Sequence, residues 1–213
     1  MMNNDVLFRV ISIAVLAGVP ALSVLHFLAA GRRVRSAGPV GGQADVRRLG
    51  LIERGSYVML GLTLLALAVT GMAPNLLAGQ KLSGWLLICH VGAGGAFMFF
   101  LVLTALLGAG DAAGRDAKFA APQRCGFWAT LTLGAATALT MMLSMVPIFG
   151  PGGLEVLRDA HRYCGLLLVA VGYWHTYQTL VVRRGRLSWL LSGKVNSDWA
   201  RHYCPEWWQV VNK

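Results

Sequence analysis

Acidic side chains are what this chain has least of. Nine Asp and Glu stand against nineteen Lys and Arg in 213 residues, and charged residues of all kinds make up 13%. The long apolar runs hold almost no carboxylates, so there are no paired acids for general acid–base work. There is also no nucleophile–base set and no phosphate-binding glycine loop, so substrate chemistry is not expected in this chain. The same scarcity, with the lack of paired broken helices, argues against a proton-coupled transporter. Cysteine is sparse too. Cys89, Cys125, Cys164 and Cys204 form no CxxC, no CxxCH and no close metal-ligand spacing. Disulfides, iron–sulfur ligation and covalently attached c-type haem are unsupported, and the four read as small apolar packing residues.

Hydrophobic residues are abundant, at 56% of the chain. Five segments, 8–30, 55–76, 84–108, 126–147 and 157–181, are long enough to cross a hydrocarbon core of about 30 Å. With short connections and no internal repeat, they predict an all-α integral membrane bundle of five transmembrane helices. Arg9 precedes the first apolar run as in a signal peptide, but the run is long and lacks a clear cleavage site, so it reads as a retained anchor. Pro20 predicts a kink in its middle.

The net charge of +10 is not a nucleic-acid footprint, because it follows membrane topology. Fifteen of the nineteen basic residues fall in 31–54, 109–124 and the tail after the fifth segment. Those parts are expected in the cytoplasm, with the N-terminus outside. Three regions result: 1–53 (first helix and a basic, Gly-rich, irregular connection), 54–182 (four helices) and 183–213. The last is rich in Trp and charge, too polar to cross the membrane, and suited to docking.

Histidines carry the chemistry. His161 and His175 are fourteen residues apart in the last apolar segment, almost four helical turns, so they share a face about 21 Å apart along the axis. Ionisable residues at such depths are costly and usually functional. Counting from the basic markers, His90 and His161 share the outer leaflet, whereas His26 (six before Arg32) and His175 (eight before Arg183) share the inner one. Each pair draws on two helices, as bis-histidine haem ligation requires. Gly94 and Gly165 stand four residues after His90 and His161 and would leave a bare face for a flat porphyrin. Zinc, which wants about four compact ligands, suits the pattern poorly. The competing reading of each histidine taken alone is a polar contact between helices, and His202 in the tail reads as a solvated surface residue.

Several stretches resemble one family. LIERGSYVMLGLTLLALAVTGM, LICHVGAGGAF, FAAPQRCGFW, DAHRYCGLLLVAVGYWHTYQTL and the tail GKVNSDWARHYCPEWW are similar, in this order, to the four helices and the ending of the cytochrome b (γ) subunit of membrane-bound formate dehydrogenases. The resemblance runs from about Ile52 to Trp208. It implies a four-helix cytochrome b core in which His90 and His161 ligate an outer haem b and His175 gives one ligand of an inner haem b. Four departures stand out. Tyr57 occupies the family's first-helix ligand position. Tyr203 and Cys204 stand where its tail histidines would be, and Ala120 stands where a polar residue is expected near the quinone. Residues 1–30 have no counterpart. His26 is therefore expected to replace the missing ligand and pair with His175. The rivals are a single-haem chain and an inner haem held by His175 with Tyr57.

The resemblance further implies a non-catalytic electron-transfer subunit in the bacterial cytoplasmic membrane. A molybdenum or tungsten catalytic subunit would feed an iron–sulfur subunit, which would reduce the outer haem; a quinone near the cytoplasmic face would take the electrons, with Gln123 and His175 as its candidate contacts. Lys118 and Arg124 lie in the same connection, where the positive-inside rule already accounts for them. The alternatives are a single-haem anchor of another oxidoreductase and a haem-free membrane scaffold.

Overall fold

The computed structural model describes residues 4–35, 45–47, 50–112, 121–178, 194–197, 200–201 and 205–211. His202, Tyr203, Cys204, Lys118 and Ala120 lie outside the described residues. Five long helices form where five apolar segments were expected: α1 (Asn4–Arg35), α2 (Leu51–Ala78), α3 (Gly84–Ala112), α4 (Ala121–Ser144) and α5 (Pro151–Tyr177). Local chemistry sets their ends. The Glu53 carboxylate accepts the Gly50 backbone N–H at 2.6 Å and caps the start of α2. Gly79 closes α2 in the left-handed region, φ 62°, where its N–H bonds the Asn75 carbonyl. Pro151 opens α5 in the first turn, where its missing N–H costs nothing.

Four of these helices are long and apolar enough to cross a membrane, through Asn4–Ala29, Leu51–Ala78, Gly84–Gly110 and Gln123–Ser144, and they mark a multi-pass membrane protein. The fifth expected span differs. Helix α5 is 27 residues long, but Glu155, Arg158, Asp159 and Arg162 crowd its first half, and two histidines dilute the rest. By composition it is not a membrane span. Large apolar side chains face outward along the described helices: Leu28 is 69% exposed, Leu106 77% and Trp85 81%, a surface suited to lipid rather than water.

Helix α2 packs along α3, α4 along α5, and α3 meets α4; α1 lies against α5 and touches α2. Within lipid there is little hydrophobic force between helices, so close packing at small residues holds them. A Cβ on Gly134 would meet Leu101 at 2.8 Å, and one on Gly172 would meet Leu64 at 2.7 Å. The middle of the bundle is a core of Phe97, Leu101 and Leu168 with Leu60, Leu64, Leu67 and Leu131 around it.

That core separates two histidine layers. Seven residues above Leu168 on α5 is His161, and seven below is His175; seven above Phe97 on α3 is His90, and seven below is Thr104. Seven residues are two turns of a supercoiled helix, about 10 Å. The layers are here called upper (His161) and lower (His175).

Helix α1 runs parallel to α5. Asp5 pairs with Arg162 at 2.7 Å and Phe8 meets Tyr163 edge-on near the upper end, while His26 meets Tyr177 at the lower end. Between them Ser12 and Ser23 are buried and let the helices close. The connection between α1 and α2 is not wholly irregular. Strand β1 (Asp45–Arg47) pairs antiparallel with β2 (Lys194–Asn196), Val46 opposite Val195. Beyond β2 the tail folds on its own chain: Ala200 and Trp207 are 0% and 3% exposed. A short helix, α6 (Pro205–Val211), follows, with the Arg201 guanidinium 5.1 Å from the Trp208 ring centre. One expected docking tryptophan is thus already packed.

Candidate functional site

The upper layer brings two expected ligands together. The rings of His90 on α3 and His161 on α5 lie 6.4 Å apart, centre to centre, at 78° to one another. Each is held by its Nδ1. The Thr137 backbone carbonyl lies 2.9 Å from His161 Nδ1; a carbonyl only accepts, so this nitrogen carries the proton. The Thr70 hydroxyl lies 2.9 Å from His90 Nδ1 and donates its own hydrogen to the Ala66 carbonyl at 2.7 Å, so it accepts from His90 as well. Both Nε2 atoms therefore carry lone pairs. This is the tautomer a metal requires, fixed by a hydrogen bond at the other nitrogen.

The His90 ring sits on Gly71, where an added Cβ would meet its Cε1 at 2.8 Å. Gly94 and Gly165 behave differently: a Cβ there would find only Leu67 at 3.9 Å and Thr137 at 4.0 Å. Packing among the described residues does not require those two glycines.

These residues fit an iron porphyrin. Two imidazoles bound through nitrogen on opposite sides of one metal, with bonds of about 2.0 Å and ring centres roughly 1.1 Å behind the nitrogen, have centres about 6.2 Å apart. Among the described residues no group of three His, Cys, Asp or Glu gathers to hold a metal. Two imidazoles alone suit a metal whose other four ligands come from a macrocycle.

The lower layer is built otherwise. His175 packs on α4, where a Cβ on Gly126 would meet its Nδ1 at 2.7 Å; the Tyr57 hydroxyl lies 3.0 Å and the Phe127 ring 2.8 Å from a Cβ built on Gly108. His26 Nδ1 is 2.9 Å from the Tyr177 hydroxyl, and its ring meets those of Trp174 and Tyr177 edge-on. Gln123 is buried, one turn before Phe127.

Sequence reading placed His90 and His161 in one layer but missed Thr70, Gly71 and Thr137, which orient them. The Thr-Gly pair near the end of the second apolar segment was the signal for two of these. No signal marked Thr137, whose backbone carbonyl makes the bond.

Fold and site together define a multi-pass helical membrane protein with a two-histidine site between α3 and α5. No protein-family model matches the chain. Over 95 residues, 43% of its length, it is 30% identical to the formate dehydrogenase cytochrome b556(fdo) subunit of Escherichia coli strain K12, and likewise to the subunit of that name from the O157:H7 and O6:H1 strains. The aligned part is 44% of each relative, so the chain spans less than half the length of the curated relatives it matches. The relationship is a distant one.

Proposed function

We propose that the chain is the haem b membrane anchor of a formate dehydrogenase-like respiratory complex. One observation carries this reading: two imidazoles, with Nδ1 occupied, meet edge-on with 6.4 Å between ring centres inside a membrane bundle. The likeness to cytochrome b556 subunits supports it. His90 and His161 would hold the haem, which, bound by two imidazoles, exchanges single electrons without an open coordination position. The protein's part is to fix both rings and exclude water.

On this reading all five helices cross the membrane, with the N-terminus and the upper layer toward the outer face and the tail in the bacterial cytoplasm. An iron–sulfur subunit beside a molybdenum or tungsten subunit delivers electrons from the outer side, and a quinone accepts them. Gln123 and His175, both near the start of α4, are the candidate quinone contacts.

The test is a reduced-minus-oxidised absorption spectrum of the purified protein. A b-type α-band is expected in the parent and lost in both His90→Ala and His161→Ala. A parent with no such band would leave a haem-free scaffold. Co-purification then identifies the complex: an iron–sulfur and a molybdenum or tungsten subunit are expected, and a different oxidoreductase would replace the formate dehydrogenase-like assignment.

A further inference from the structure

Each imidazole of the upper layer belongs to a separate helical hairpin. Helices α2 and α3, joined by residues 79–83, form one; it carries His90 with the Thr70 hydroxyl and the Gly71 seat that orient it. Helices α4 and α5, joined by 145–150, form the other; it carries His161 with the Thr137 carbonyl that orients it. Packing inside a hairpin therefore fixes one ring, but not the gap between the two. That gap is set by how the hairpins meet. The close contacts of Gly134 with Leu101, Gly172 with Leu64 and Gly108 with Phe127 join them at or below the middle of the bundle.

Helix α1 joins them at the upper end, where its first turns reach both hairpins. On one side Asp5 pairs at 2.7 Å with Arg162, the residue next to His161, and Asn4 Nδ2 donates to the Asp159 carboxylate at 3.4 Å. On the other side Arg9 Nη2 donates to the Leu76 carbonyl at 3.0 Å, one of the carbonyls left without an intrahelical partner at the end of α2. That end is weakly tied to the rest of its helix. Pro74 stands inside α2, four residues after Thr70, and has no N–H to offer the Thr70 carbonyl. The hydrogen-bond ladder is thus interrupted beside the two residues that hold His90. Asp5 and Arg9 are one turn apart on α1, and each grips a different hairpin.

We propose that the start of α1 is a brace across the two hairpins, and that it sets the separation and mutual angle of the His90 and His161 rings. Asp5 and Arg9 are its positioning residues, acting through the hairpins rather than on the iron. Imidazoles on opposite faces of one metal must keep a fixed gap, so a hairpin that swings outward weakens both bonds at once. Loss of the brace loosens the haem while every ligand and its orienting hydrogen bond remain. His26 fastens α1 to α5 at the lower end and has no part in this.

The proposal rests on the upper pair being a haem site, and the readouts separate the two. Full-length protein carrying Asp5→Asn, Arg9→Met or both should still assemble, because both contacts are made by partly exposed side chains. Haem transfer to an apo-globin acceptor should quicken about tenfold in the double variant, with a smaller change in each single one. The rings stand at 78°, so the ferric parent should show the highly anisotropic low-spin electron paramagnetic resonance signal of near-perpendicular imidazoles. In the double variant that signal should shift. His26→Ala, which loosens α1 only at its lower end, should change neither the transfer rate nor the signal. Unchanged transfer or an unchanged signal in the double variant, or equally fast transfer in His26→Ala, would overturn the brace and leave the upper site standing. A parent without haem would instead overturn both readings.

Discussion

At the scale of single residues, the upper site depends on three positions that ligate nothing. Gly71 seats the His90 ring, and Thr70 and Thr137 each take the hydrogen of an Nδ1. The seat is the most sensitive, because a methyl group at Gly71 would fall 2.8 Å from Cε1 and the helix backbone cannot yield. Gly71→Ala should cost about 1–3 kcal/mol through overpacking and turn the ring from its ligating angle. The expected outcome is a folded protein that keeps less than a tenth of the parent's haem, read from the α-band per unit of protein; full retention would show that the ring does not need this seat. Thr70→Val is milder. It removes the acceptor for His90 Nδ1 while keeping the shape, and losses at such supporting positions run to about 10–100-fold in metal affinity, measurable by haem transfer to an apo-globin acceptor.

At the scale of elements, α1 is fastened at both ends. Asp5 and Arg162 pair at 2.7 Å at the upper end, but both are partly exposed, and such pairs contribute about 0–1 kcal/mol. The His26–Tyr177 hydrogen bond at the lower end is better shielded, since Tyr177 is 8% exposed, and should contribute about 0.5–1.5 kcal/mol. His26→Ala should therefore lower Tm by about 2–5 °C in detergent while leaving haem per chain unchanged. A lost haem would return His26 to the role of ligand that its depth suggested. The contrast shows what was legible in the sequence. Apolar runs fixed the positions of the helices within a few residues, and the fourteen-residue interval on α5 gave the two levels. Depth along an axis is countable, but rotation about it is not: His26 and His175 lie near one level, yet α1 and α4 sit on different flanks of α5. The seats at Gly71 and Gly126 depend on how two helices turn toward one another, which one helix's period does not encode. The β1–β2 pair was equally hidden, since three-residue strands carry no period and their partners are almost 150 positions apart.

At the scale of the molecule, the remaining question is whether α5 crosses. Composition places it below the apolar helices, yet the connections bear on the matter independently. Strand β1 belongs to the connection between α1 and α2, and β2 follows α5. Their pairing puts the start of the tail at the same end of the bundle as the α1–α2 connection. The α4–α5 turn lies at the opposite end, because α4 runs from the Gly126–His175 contact up to the Thr137–His161 contact. A chain that leaves that turn and reaches β2 has traversed the bundle along α5. On the proposed five-helix reading its polar first half would be tolerable, because Arg162 pairs with Asp5 and Asp159, at 2.7 and 3.6 Å, where a lone charge in mid-membrane would cost roughly 2.5–3.5 kcal/mol or more. Reporter fusions read this directly. Alkaline phosphatase, which folds only outside the cytoplasm, should be active after Gly79 or Gly150 and inactive at the C-terminus, where a fluorescent-protein fusion should be bright. An active C-terminal phosphatase would place the tail on the side of the α4–α5 turn, and neither the fifth crossing nor the β1–β2 pairing would survive that result.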